Sequence, residues 1–363
     1  MYDIRLDPID DETSWNGASL QADRSWEYVL DNQDRSELDL ALARVREKNL
    51  RLEKISKTEF LLPNLGNRLS KIGDDLRIGR GFVVVRGFPV TEYSFEDLER
   101  MYWGLCSHIG LGLTQNGDAT FIHYVTDGKR RPSQGTRGVG FPRESKLHID
   151  LTDVVSLLCV RQAPDNPPSR VASSINVYNA LLHHKPEVLV RLYEGFEWDR
   201  RDEHGSGETP TSGYKVPVFS QKGGVVSCQY NRNWIEHAAA RNERPLSTDD
   251  NAILDLMDDI AFQARLEFPF NEGDIQFCNN YTVMHGRAAH AIINEEERKR
   301  ILMRIWIDMP GEVRPFIDEA LIRYGNSRHG QIGWSPDEVL AGLNTQARLR
   351  RPDGAIVTVP PVT

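Results

Sequence analysis

The 363-residue chain has only four cysteines, Cys106, Cys159, Cys228 and Cys278, and no CxxC spacing. That excludes a disulfide framework and a zinc site built on cysteine pairs. Each cysteine sits in an apolar or strand-like context, so reduced, buried thiols in a cytoplasmic protein are expected. No apolar run approaches the roughly 20 residues of a membrane helix. The start, Met1-Tyr2-Asp3-Ile4-Arg5, lacks the apolar core of a secretory leader. Neither feature suggests a membrane partner. Positive charge is also short, with 44 Lys and Arg against 53 Asp and Glu and a formal net charge of -9. A nucleic-acid partner would call for a basic field, and the patches Lys129-Arg130-Arg131 and Arg348-Leu349-Arg350-Arg351 are brief. Repeats and low-complexity tracts are missing too. What remains is an ordinary soluble enzyme composition, 39% hydrophobic and 27% charged. A small-molecule substrate is the expected partner, and a homo-oligomer is left open.

Periodicity predicts helices from Ser36 to about Leu52, from Leu65 to Ile78, and from a Ser94 cap to about Ile109. Gly81 to Gly87 reads as a buried strand bounded by glycines. Residues 126–146 form a long polar connection of the kind that serves as a binding loop or lid. Strands are expected at 147–151, 154–161, 216–219, 225–229, 274–278 and 300–308. A helix from Tyr178 to Glu194 should break at Pro186, and others should lie near 231–238 and 247–265. A short one should begin at Ser335. The fold class is α+β, a β-sandwich or jelly roll with helices packed around it.

The chemistry concentrates in three places. His148 and Asp150 lie two residues apart in an alternating run, so a strand there would point both to one face. His285 lies far downstream, just after one predicted strand and before another. Two imidazoles and one carboxylate make the facial triad of a non-haem iron site, which leaves three metal positions open. A His-x-Asp pair alone carries little information among 10 His and 53 acidic residues, so the inference rests on the constellation. The third place is the strand from Arg300 to Asp308. Ile301, Met303, Ile305 and Ile307 form one apolar face, and Arg300, Leu302, Arg304 and Trp306 share the other. Two arginines on a buried face need anions, either of ligands or of structural Asp and Glu.

With these motifs in hand, the sequence resembles the taurine dioxygenase (TauD/TfdA) family of Fe(II)/2-oxoglutarate-dependent oxygenases over about residues 80–310. The resemblance is carried by Gly81–Gly87, Leu147-His148-Ile149-Asp150, Ser169 to Ser174, Val177 to Leu181, Gly273-Asp274, Asn280 to Arg287, and Arg300 to Trp306. Length and the 126–146 insertion look most like the clavaminate synthase-like branch. The resemblance implies a double-stranded β-helix, or jelly roll, with surrounding helices. It divides the chain into an N-terminal helical segment (1–80), an oxygenase core (81–310) and a C-terminal extension (311–363). The core would carry a lid at 126–146 and a helical insertion at 230–266.

By the same resemblance, His148, Asp150 and His285 hold Fe(II). Arg300 grips the distal carboxylate of 2-oxoglutarate, Ser169 assists it, and Arg304 meets an acidic group of the substrate. In place of the family's usual Gly-Gly before Ser169 stand Pro167-Pro168. O₂ is the co-substrate, and hydroxylation of a small anionic substrate, an amino acid or derivative, is the expected reaction. Desaturation, cyclisation and epimerisation use the same ligands. Asp150 argues against halogenation, since halogenating relatives leave that metal position free. The rivals are a cupin-type metalloenzyme, which has no need of Arg300, and a metal-free or metal-sensing binding protein on the same barrel.

Overall fold

The protein is described by a computed structural model covering residues 3–115, 120–127, 141–201, 204–205, 209–310, 333–342, 349–350 and 355–357. Residues 128–140 of the expected lid and most of the C-terminal extension lie outside this set.

In chain order, the helices are α1 (Gly17–Ala22), α2 (Asn32–Glu47), α3 (Leu65–Ile78), α4 (Phe95–Cys106), α5 (Ser174–His184), α6 (Glu187–Glu194), α7 (Arg232–Arg241), α8 (Thr248–Gln263) and α9 (Pro336–Leu340). The strands are β1 (Glu27–Val29), β2 (Phe82–Arg86), β3 (Leu111–Leu113), β4 (His123–Val125), β5 (Ser145–His148), β6 (Val154–Arg161), β7 (Ser169–Ser173) and β8 (His204–Gly205). They continue with β9 (Phe219–Lys222), β10 (Val225–Cys228), β11 (Leu266–Phe268), β12 (Ile275–Asn279), β13 (Val283–Arg287), β14 (Ile301–Asp308), β15 (Leu349–Arg350) and β16 (Ala355–Val357).

Seven strands form the large sheet in the order β1-β2-β12-β6-β14-β3, with β4 also pairing β14. A four-stranded sheet runs β11-β7-β13-β5. Apart from the parallel β1–β2 pair, neighbours in both sheets are antiparallel.

Strand β14 shows how the layers are stacked. Ile301, Met303, Ile305 and Ile307 enter one core with residues of α2, α3 and α4. Leu302 and Trp306 enter a second core with Val171 and Val283 of the small sheet and residues of α5, α6 and α8. Two-residue alternation therefore sends the apolar face of β14 to the helices and its Arg-bearing face toward the small sheet.

Local chemistry sets most boundaries. Helix α3 buries Leu65, Leu69, Ile72 and Leu76 along one face, as its spacing predicts. Gly81 and Gly87 flank β2 with φ of 76° and 86°, a region other residues seldom adopt. Helix α2 begins four residues before Ser36, because Asp31 and Asp34 form a reciprocal capping box. The Tyr178–Glu194 region is two helices around Pro186, and the first starts early on a Ser173 cap. The expected insertion at 230–266 holds α7 and α8, and the Ser335 cap opens α9. The expected strand at 147–151 is displaced: β5 spans Ser145–His148, and Asp150 lies beyond its end. Strand β13 was not anticipated, since Val-Met-His-Gly-Arg has neither clean alternation nor an apolar run.

Candidate active site

The small sheet brings the two histidines together. His285 on β13 is the register partner of His148 on β5, and their ring centroids lie 4.6 Å apart. Across β13, His285 pairs with Val171 and Arg287 with Ser169, so His285, Arg287 and Ser169 share the face that lines the cavity. Asp150 arrives by irregular backbone. Its N–H donates to Asn280 Oδ1 at 2.9 Å, and the preceding Ile149 N–H donates to Tyr230 O at 2.9 Å. The convergence of His148 and Asp150 is thus fixed by two anchors from elsewhere in the chain rather than by strand alternation.

His148, Asp150 and His285 offer ligand atoms that all lie within 4.8 Å of one another. The donor set suits a divalent metal. His148 Nδ1 is 2.7 Å from Lys146 O, which assigns its proton to Nδ1 and presents the Nε2 lone pair. His285 Nε2 lies 3.9 Å from Asp150 Oδ2. Burial, helped by the nearby His148 and Arg304 and opposed by Asp150, pushes His285 down to about 3. Its imidazole is therefore neutral, as a metal ligand must be. Burial alone would raise the Asp150 carboxyl; the Arg304 guanidinium, with the Trp306 N–H bonded to the same carboxylate, outweighs it and holds the group ionised. These three residues would hold Fe(II).

The opposite wall comes from β14. Arg304 donates through Nη1 to Asp150 Oδ2 at 2.9 Å, and Trp306 Nε1 donates to the same oxygen at 3.1 Å. Gln115 braces Arg304 by accepting from its Nε at 2.8 Å and donating to its backbone carbonyl at 2.7 Å. Arg304 thus pairs with a protein carboxylate, the structural one of the two kinds of anion that a buried arginine on this face calls for. Asp150 is buried and must be counter-charged, and Arg304 is the cation within reach.

Arg300 is buried in the same cavity, its Nε bonded to Gln162 Oε1 at 2.7 Å. No carboxylate pairs with it among the described residues. Burial and the nearby charge of Arg287 press its pKa down to about 10. Ser169 lines the cavity, and its hydroxyl donates to Gln276 Oε1 at 2.6 Å. Asp153 stays out of the metal site. It accepts from Tyr281 Oη at 2.9 Å and from Met309 N–H at 3.0 Å.

The cavity measures about 390 Å³. Five positioning groups escaped the sequence reading: Asn280, Gln115, Gln162, Gln276 and Trp306. Only Trp306 carried a signal, its shared face with Arg300 and Arg304. The amides act through pairings between distant segments that no spacing reveals.

The profile of the taurine catabolism dioxygenase TauD, TfdA family matches residues 48–306. FR-33289 synthase of Streptomyces rubellomurinus is 28% identical over 318 residues, which span 85% of this chain and 93% of that protein. The taurine hydroxylase-like protein SAT17 of Stachybotrys chartarum is 26% identical over 317 residues, spanning 84% and 81%. Among solved structures, an asparagine oxygenase in complex with Fe(II), 2S,3S-3-hydroxyasparagine and succinate superposes with a TM-score of 0.59 at 13% identity. That match covers 78% of this chain and 93% of the other. The non-heme iron oxygenase OrfP in complex with Fe and alpha-ketoglutaric acid gives 0.56 at 15% identity, covering 78% and 94%. A profile match over most of the chain and a buried His-Asp-His triad facing an uncommitted arginine agree: the chain belongs to the TauD/TfdA family and is an Fe(II)/2-oxoglutarate-dependent dioxygenase.

Proposed function

We propose that this oxygenase hydroxylates an unactivated C–H bond of a small anionic substrate, an amino acid or derivative, with release of succinate and CO₂. The observation that carries this is the sharing of one cavity by the His148, Asp150 and His285 triad and the buried, uncommitted guanidinium of Arg300. Arg300 suits the distal carboxylate of 2-oxoglutarate because its planar fork donates two parallel hydrogen bonds. Ser169 stands at the same wall, where its hydroxyl would assist by turning from Gln276 Oε1 to donate to that carboxylate. When bound, Fe(II), 2-oxoglutarate and O₂ supply the oxidant that removes a substrate hydrogen. The protein's part is to hold the triad, orient the co-substrate and position the target C–H bond. Support for an amino-acid substrate comes from the structural neighbours, whose complexes contain 2S,3S-3-hydroxyasparagine in one case and (3S)-hydroxy-L-Arg in another.

In this reading the two sheets form a double-stranded β-helix with residues 81–310 as its core, residues 1–80 packing on it and 311–363 extending it. Among the described residues no helix is long and apolar enough to cross a membrane. With its buried, unpaired cysteines the chain fits a cytoplasmic enzyme.

The experiment is a screen of candidate substrates for stimulated succinate formation, followed by mass spectrometry of the product. Gain of one oxygen atom supports hydroxylation. Loss of two hydrogens would replace it with desaturation or ring closure, and an unchanged mass with epimerisation. No stimulation by any anionic compound would overturn the anionic-substrate reading.

A further inference from the structure

Arg300 is set into the cavity wall by the end of β6. The pairing of β6 with β14 steps from Cys159–Leu302 to Arg161–Ile301, a one-residue bulge at Val160. Such a bulge re-aims the side chains beside it. Just past it, Arg161 donates through Nε to Lys299 O at 2.6 Å and through Nη2 to Glu296 O at 3.1 Å. The backbone leading into Arg300 is thereby tied to β6. Gln162, the next residue, takes the side chain: its Oε1 accepts from Arg300 Nε at 2.7 Å.

The Gln162 amide is itself held on both sides. Oε1 also accepts from Ala163 N–H at 2.9 Å, and Nε2 donates to Phe270 O. Both groups that face Oε1 are N–H donors, and the group that faces Nε2 is a carbonyl. A flipped amide would lose all three bonds, so the acceptor is fixed toward Arg300. The backbone N–H of Gln162 donates to Glu272 Oε1 at 3.1 Å, which anchors the residue at its base.

This arrangement decides how Arg300 can meet an anion. A guanidinium offers a carboxylate an end-on fork, Nη1 with Nη2, or a side-on fork, Nε with one Nη. Gln162 occupies Nε and closes the side-on fork. The end-on fork is left for the cavity, where Arg300 has no other hydrogen-bond partner among the described residues. Charge is the second consequence. A carboxylate in place of Gln162 would neutralise Arg300, as Asp150 neutralises Arg304. A neutral amide orients the guanidinium and leaves its charge to attract a ligand. We infer that Gln162 is a positioning residue of the co-substrate site, which directs the end-on fork of Arg300 to the distal carboxylate of 2-oxoglutarate and must be neutral to do so. This rests on the reading of Arg300 as the anchor of that carboxylate.

The test is calorimetric titration of the anaerobic Fe(II)-loaded enzyme with 2-oxoglutarate and with 2-oxovalerate, which keeps the keto-acid end and lacks the distal carboxylate. Gln162→Leu should weaken 2-oxoglutarate about five-fold, the scale of one lost hydrogen bond, and leave 2-oxovalerate unchanged. Gln162→Glu should weaken 2-oxoglutarate by about ten-fold or more, because the new carboxylate competes for the guanidinium. In an Arg300→Ala background, Gln162→Leu should add no further loss. Fe(II) affinity should be the same in all variants, which certifies their fold; if Gln162→Leu does not fold, Gln162→Glu carries the test. Wild-type 2-oxoglutarate affinity in Gln162→Glu, equal losses for both keto acids in Gln162→Leu, or a further loss in the double variant would overturn the proposal. Undiminished 2-oxoglutarate affinity in Arg300→Ala alone would instead strike the reading of Arg300 beneath it, and the proposal with it.

Discussion

Arg300, just before β14, and Arg304, within it, line one cavity, yet their surroundings differ. Arg304 is wired into the protein, with Asp150 as counter-ion, Gln115 as brace and Trp306 beside it. Arg300 has one amide partner and, among the described residues, no counter-ion. A buried cation left unbalanced is unfavourable unless something else balances it. The contrast separates a charge that builds the site from a charge that awaits a ligand. Residue type and alternation cannot make that separation, because both arginines look alike in the sequence.

The most severe way to break the comparison is to remove the metal site that both arginines face. His148→Ala deletes one of three ligands, and its Nδ1 contact with the Lys146 carbonyl shows a ring already oriented for the task. We expect loss of stoichiometric Fe(II) binding and of all turnover, measured by iron content after anaerobic reconstitution and by succinate release. Full Fe(II) affinity in this variant would remove His148 from the triad.

Arg304→Gln comes next. It leaves Asp150 buried without its cation, and breaking a buried ion pair in this way costs about 3 kcal/mol. Chemical denaturation of the metal-free protein should show that loss, together with weakened Fe(II) binding. An undiminished stability would mean that Asp150 finds another counter-charge, and that Arg304 is free for a substrate anion after all.

Arg300→Ala sharpens the contrast from the other side. It removes a cation that has no carboxylate partner, so the stability of the unliganded protein should hold or rise. The apparent affinity for 2-oxoglutarate should fall at least ten-fold, as loss of a desolvated charge-assisted contact worth about 2 kcal/mol implies. Iron should still bind. Equal destabilisation by the Arg300 and Arg304 variants would dissolve the distinction between them.

The sequence made much of this legible where the signal was local. Alternation over 300–308 puts Arg300, Arg304 and Trp306 on one face, and the core assignments from Ile301 to Ile307 follow it. Leu65–Ile78 and Val154–Arg161 emerge at their predicted bounds because each has a strong period or apolar run. Legibility failed where position depends on distant partners. Its sequence places Asp150 in a strand, but the residue sits past the strand's end and is held by Asn280 and backed by Arg304. The 283–287 strand exists because β5 and β7 flank it, not because its own five residues favour extension. The triad could be recognised as a constellation, while the anchors that assemble it could not.

The mildest perturbation tests the same logic with carboxylates. Asp150 and Asp153 are three residues apart and both buried. Asp150 faces Arg304 and stays ionised. Among the described residues, the Asp153 carboxylate accepts from Tyr281 Oη and Met309 N–H and has no Lys or Arg in ion-pair range. Burial, reinforced by neighbouring Asp308, pushes its pKa above the ordinary 3.8, and these two hydrogen bonds oppose that rise without cancelling it. The folded state therefore keeps a proton that the unfolded chain releases near pH 4. The stability tied to that proton is fully present at acid pH and is lost as pH rises toward the elevated value. Asp153→Asn mimics the protonated form and should remove this dependence. Denaturation curves of wild type and variant should lie closest at pH 5, and the variant should gain relative stability by pH 8. Parallel pH dependences would show that Asp153 is already ionised in the fold, and that an unpaired buried carboxyl is better compensated here than its neighbours suggest.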